Sequence, residues 1–172
     1  MLIAANNISA PAGRAATHAR AFTLIELLIV ISILGILAMA VVPHVANAAK
    51  VARENTLKDE LRYLRTAVAV YKAQHQGTGP GVTGDLLKQL TEFTDEAGHT
   101  NPTRDAAHRI GPYVGKIPLN PLNSSSEITV SSSSDLSTAI NDATGWLYNP
   151  TSSQVIANSS GSDTSGLPYA QY

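Results

Sequence analysis

Apolar and polar residues are distributed very unevenly along the chain. From Phe22 to Val42 the only polar side chains are Thr23, Glu26 and Ser32, whereas Ser, Thr, Asn and Gly dominate after Gly77. As a helix, these 21 residues are roughly 31 Å long, which matches the ~30 Å hydrocarbon core of a bilayer. Beyond them Leu57, Leu61, Leu64, Val68 and Tyr71 recur at steps of four and three, with His75 completing the stripe, which predicts an amphipathic helix. Its opposite face carries Lys50, Arg53, Glu54, Lys58, Asp59, Arg62 and Arg65. Lys50–Glu54 and Glu54–Lys58 stand at helical i,i+4 spacing, the pattern of a solvated face. The two stretches predict one helix from Phe22 to about Gln74, broken by Gly77, Gly79, Pro80, Gly81 and Gly84. Gly35 and Pro43 weaken it locally, since Gly costs about 1 kcal/mol relative to Ala and Pro removes an intrahelical bond.

The polar remainder predicts a small head. Thr83-Gly84-Asp85 ahead of Leu86, Leu87 and Leu90 reads as a short capped helix, and Glu92–Ile110 as a returning loop. Glu127–Val130, Gly145–Asn149 and Gln154–Ala157 read as short strands of an antiparallel sheet, the last two joined as a hairpin through Pro150–Ser153. Trp146 and Tyr148 are assigned to the core and the surface of that sheet. Asn123–Thr138 and Ser159–Gly166 are Ser-rich and expected to be mobile. The expected fold is α+β: a long N-terminal helix, half membrane-spanning and half amphipathic, on a small antiparallel sheet with a variable loop. The expected divisions are a leader at 1–21, a membrane or core helix at 22–43, its amphipathic continuation at 44–76 and the head at 77–172.

Composition narrows the function. With 172 residues the chain holds an anchor and one modest domain. A net charge of −1 and a pI near 6.5 supply no basic face for nucleic acid. The absence of cysteine excludes a disulfide framework, a thiolate metal site and a cysteine nucleophile. Met1–Ala21 carries Arg14, His18 and Arg20 without any acidic residue, which by the positive-inside rule keeps that end cytoplasmic and sends the remainder outward. Past the apolar segment Lys50 and Arg53 are answered by Glu54, Asp59 and Glu60. An ordinary secretory signal peptide is the competing reading, because Ala38-Met39-Ala40 supplies an A-x-A cleavage pattern.

Glu26 decides against that reading, since an h-region gains nothing from a carboxylate. The Leu, Ile, Val and Phe residues of the segment favour insertion by roughly 4–8 kcal/mol, against about 2.5–3.5 kcal/mol for a mid-bilayer carboxylate. The helix therefore inserts in spite of Glu26. An ionisable residue at this depth points to function, and Leu27–Val42 contains no cation to pair with it. Its charged partner is expected to lie elsewhere.

Arg20-Ala21-Phe22-Thr23-Leu24-Ile25-Glu26-Leu27-Leu28-Ile29-Val30 closely resembles the cleavage and methylation motif of type IV prepilins and type II secretion pseudopilins. The resemblance implies a cut by prepilin peptidase between Ala21 and Phe22, N-methylation of Phe22, and pairing of Glu26 with the Phe22 amine of a neighbouring subunit. It departs from the family at Ala21, where Gly is usual, and in the length of its leader. It further implies flexibility at Gly35 and Pro43, and a chain held in the inner membrane before entering a periplasmic or surface filament. The implied partners are other copies in a helical filament, minor pilins, an assembly platform protein and an ATPase. Gly111-Pro112-Tyr113, Lys116–Leu122 and Gly145–Pro150 resemble, less specifically, the G-type or major pseudopilins of type II secretion. Those often hold calcium in a C-terminal loop, for which this chain offers only scattered Asp135, Asp142 and Asp163.

No catalytic site emerges, and no cofactor is expected apart from that calcium. Gly77–Gly84 lacks the Gly-Lys-Ser/Thr ending of a phosphate loop and follows a helix, so it reads as a linker. His99, Asp105 and His108 match no zinc spacing, and Gly161-Ser162-Asp163 is not a nucleophile elbow.

Overall fold

A computed structural model describes residues 22–172; the leader Met1–Ala21 and its expected cleavage position lie outside the described residues. The fold is α+β. Helix α1 spans Leu24–Gln74 and α2 spans Leu86–Thr91. Five short strands follow: β1 (Phe93–Thr94), β2 (Thr100–Asn101), β3 (Ile128–Val130), β4 (Trp146–Asn149) and β5 (Gln154–Ala157). Short 3₁₀ helices occupy Leu136–Ala139 and Tyr169–Gln171. The chain divides into two units, 1–43 and 44–172.

In the first unit, α1 is long and apolar enough to cross a membrane. Its large apolar side chains between Phe22 and Val42 are exposed, Phe22 by 81%. The hydroxyl of Ser32 donates to the Leu28 carbonyl at 2.7 Å, which satisfies a polar group inside an apolar stretch.

The second unit is built around the stripe read from the sequence. Leu57, Leu61, Leu64 and Val68 of α1 are buried together with Leu86, Leu90, Val114, Trp146, Tyr148, Val155 and Ala157, and Tyr71 is buried further along the stripe. His75 is buried at the end of the same stripe. Just after α1, Gln76 turns into the left-handed region (φ 54°), and the Gly77 N–H donates to the Lys72 carbonyl at 2.8 Å, closing the free end of the helix. Asp85 caps α2 as expected, its carboxylate accepting from the Lys88 N–H at 3.0 Å.

Four sequence expectations are corrected. Sheet order is β3-β4-β5 with β4–β5 antiparallel, but β3–β4 is parallel, because residues 131–145 form a crossover holding the first 3₁₀ helix instead of a hairpin. Trp146 and Tyr148 do not divide between core and surface: two residues apart on a strand, they share the face packed on α1. Leu147 between them is buried on the other face, with Ile156 and Leu136, under the 3₁₀ helix. The segment Glu92–Ile110 is no plain loop, since β1 and β2 pair within it and Thr94 bridges to Ile110. Glu54 does not belong to a solvated face; it is only 3% exposed, for the reason given below.

The Ser-rich stretch 123–138 contains β3 and the first 3₁₀ helix and is held by asparagines. Buried Asn120 donates to the Gly145 carbonyl (2.8 Å) and to the Ser159 hydroxyl (2.9 Å). Asn123 donates to the Thr144 carbonyl (2.8 Å), and Asn149 to that of Ser133 (2.7 Å). These side chains satisfy backbone groups that strands this short leave unpaired.

Candidate functional site

The N-terminal turn of α1 gathers the residues singled out in the sequence. The Thr23 N–H and hydroxyl donate to one oxygen of Glu26 at 2.8 and 2.9 Å, and the Glu26 N–H donates back to the Thr23 hydroxyl at 3.2 Å. This is a capping box, in which two residues three apart satisfy each other's free backbone N–H groups. Glu26 thus finds an uncharged partner one turn away, at the entry to its own helix, a pairing that the Thr-x-x-Glu spacing makes legible in the sequence. Phe22 stands just ahead of this turn and is exposed. Gly35 and Pro43 lie within α1, and a Cβ placed at Gly35 would meet nothing within 4 Å.

The head residues considered as ligands do not converge. Asp135 accepts from the Ser137 N–H (2.9 Å), Asp142 from the Ser160 N–H (2.7 Å) and Asp163 from the Ser165 and Leu167 N–H groups (2.8 and 2.9 Å). Hydrogen bonds to Ser137, Ser160 and Ser165 respectively hold all three below the usual carboxylate range. Each carboxylate is engaged at its own place in the head, and among the described residues no three Asp, Glu or His side chains gather to hold a metal ion. They do not fit a shared calcium, which needs six to eight oxygens. His99 and His108 likewise fall into separate pairs: His99 with Asp95 at 2.8 Å, and His108 with Asp105 at 2.9 Å. The His108 backbone N–H, followed by its side chain, draws Asp105 down to about 2.

Within the head, polar side chains fasten α1 to the later chain. The Glu54 carboxylate accepts from the Thr164 N–H (3.1 Å) and hydroxyl (3.0 Å) and lies 3.7 Å from the Lys50 amine. The expected Lys50–Glu54 pair forms; the expected Glu54–Lys58 pair does not, and Lys58 lies 4.3 Å above the Tyr172 ring instead. Arg65 donates to the Val155 carbonyl (2.9 and 3.1 Å) and to that of Tyr172. His75 has Nδ1 2.8 Å from the Tyr71 carbonyl, and Nε2 2.9 Å from the Asp95 carbonyl and 3.1 Å from the Thr94 hydroxyl. Its ring stacks on Tyr71 at 3.8 Å, so the last turn of α1 is fixed to β1. Gly77–Gly84 serves as a folded connector, with the Tyr148 hydroxyl donating to the Pro80 carbonyl at 2.8 Å.

Neither the curated proteins nor the solved structures give a significant match to the chain. Residues 17–42 match a family model described as the prokaryotic N-terminal methylation motif, so the chain carries the N-terminal motif of type IV prepilin-like proteins.

Proposed function

We propose that the chain is a non-enzymatic structural subunit of a pilus or pseudopilus, inserted in the inner membrane as a precursor and assembled through the first half of α1. One observation carries this reading: the methylation motif at 17–42 coincides with an apolar helical segment whose side chains are exposed and whose only carboxylate is Glu26. Lipid covers such a surface before assembly and other copies of it do so in a filament. On this reading prepilin peptidase cuts between Ala21 and Phe22 and the new Phe22 amine is methylated. Glu26, held by Thr23 in the single chain, exchanges that partner for the Phe22 amine of a neighbouring copy. A buried ion pair of this kind sets register more than it adds stability. Gly35 and Pro43 give the helix local freedom to lengthen.

A short pseudopilus for type II secretion is favoured over a surface pilus by the resemblance of Gly111–Tyr113, Lys116–Leu122 and Gly145–Pro150 to major pseudopilins. Minor pilins, a platform protein and an assembly ATPase are the partners this requires. A secretin gene beside that of the chain supports the secretion role, and a retraction ATPase gene supports the pilus.

The test is Glu26→Ala in the full chain, expressed with its assembly machinery. The variant is expected to insert in the membrane and give a mature chain starting at N-methyl-Phe22 by intact mass, yet to yield no filaments. Normal filaments from the variant would remove the role given to Glu26. A mature start at Val41 would make 22–42 an export signal only.

A further inference from the structure

The buried stripe of α1, Leu57 to His75, leaves a flank of the helix on either side of it, and the two flanks differ in chemistry. One residue after the stripe positions stand Lys58, Arg62, Arg65, Ala69 and Lys72. Successive residues lie about 100° apart round a helix, so these form one cationic flank. One residue before the stripe positions stand Thr56, Glu60, Tyr63, Ala67, Val70 and Gln74, a flank with Glu60 as its only charge.

Along this second flank the later chain stands off and leaves a trough. Thr56, Glu60 and Tyr63 line a cavity of about 790 Å³ with residues 115–121, and Tyr63, Val70 and Gln74 line one of about 350 Å³ with residues 111–113. Tyr63 belongs to both, so the two follow one line of the helix, about 27 Å long from Thr56 to Gln74. The trough lies wholly within the 44–172 unit. It exposes Tyr63 (43%), Val70 (43%) and Leu119 (60%), apolar surface that gains free energy from a cover. Its one cation and one carboxylate, Lys116 and Glu60, line the part that begins at Thr56, and the part that ends at Gln74 is lined by neither.

We propose that the apolar half of α1 from a second copy, Phe22 to Val42, lies in this trough, parallel to the α1 that floors it. The proposal rests on the filament reading above and says where on a neighbouring head that helix is received. Length, polarity and charge each select this occupant. As a helix, Phe22 to Val42 is roughly 31 Å long, against about 27 Å of trough, and its large apolar side chains are exposed. The only other α-helix among the described residues, α2, has six residues, too few to fill the trough. A parallel fit brings the start of the apolar helix to the Thr56 end, where the trough is charged. The segment's own two charges, the Glu26 carboxylate and the amine that cleavage gives Phe22, then stand level with Lys116 and Glu60, so that each sign meets its opposite. In a helical array of one kind of chain each contact joins two different patches, both present on every copy; here they are the apolar helix and the trough. The cationic flank offers that helix neither an apolar floor nor charges of both signs.

The test uses filaments made by the full chain with its assembly machinery. With a benzophenone amino acid in place of Tyr63, or of Leu119 in a second variant, irradiation is expected to give covalent dimers whose cross-linked peptide maps within residues 22–42 of the other copy. The same photoreactive residue in place of Val82, which is exposed outside the trough, is expected to give no adduct to that segment. Tyr63→Asp or Val70→Asp sets a charge against the apolar helix and is expected to lower filament yield by at least about tenfold, with membrane insertion and the thermal melt of the head as in the parent. Filaments that give no dimers, adducts only to another segment, another protein or lipid, or charged variants that assemble like the parent, overturn this docking and leave the filament reading standing. Absence of filaments from the unsubstituted chain overturns both.

Discussion

Thr23 and Glu26 close the first turn of α1 with a reciprocal set of hydrogen bonds. In the single chain the Glu26 carboxylate caps the first turn of α1, accepting from the Thr23 N–H and hydroxyl. A carboxylate whose hydrogen bonds are already made is cheaper to hold near lipid than a bare one, because desolvation is costly chiefly for unpaired charge. Thr23→Ala removes the hydroxyl arm of the box and is expected to cost about 0.5–2 kcal/mol of local helix stability. The measurement is amide hydrogen exchange of the micelle-bound chain, with faster exchange confined to the first turn of α1. Equal exchange in both forms would mean the box contributes nothing.

At the scale of elements, the amphipathic stripe of α1 was legible because helical periodicity is a local property, and Leu57, Leu61, Leu64, Val68 and Tyr71 all reach the core. The strands were legible in position but not in direction. Whether β3 runs parallel to β4 depends on the path of residues 131–145, which no alternation pattern encodes. The entry to β4 is tight: a Cβ at Gly145 would lie 2.1 Å from the Ser125 carbonyl oxygen. Gly145 and Asn120 there hold the 120–125 turn against β4. Since that neighbour is backbone and not a pliable side chain, Gly145→Ala is expected to destabilise the head by about 1–3 kcal/mol. A lowered thermal midpoint with unchanged membrane insertion is the expected readout; an unshifted melt would mean the turn moves freely aside.

At the scale of the whole molecule, the head is held to its helix by polar side chains as well as by the apolar stripe. Glu54, Arg65 and His75 each reach from α1 to a segment distant in sequence. Glu54→Ala leaves Thr164 without its acceptor and is expected to cost the head about 1–3 kcal/mol, read as a lower urea midpoint. An unaltered midpoint would reduce Glu54 to a surface residue. The sequence by itself determined the apolar segment, its one carboxylate, the basic leader and the stripe beyond, because length, charge and period act locally along the chain. Only the tertiary structure decided that Glu54 is buried, that β3 runs parallel to β4, that Asp135, Asp142 and Asp163 stay apart, and that the Tyr71 hydroxyl finds no hydrogen-bond partner among the described residues. Each of these depends on which distant segment comes to rest against α1, and that is set by how the whole head packs.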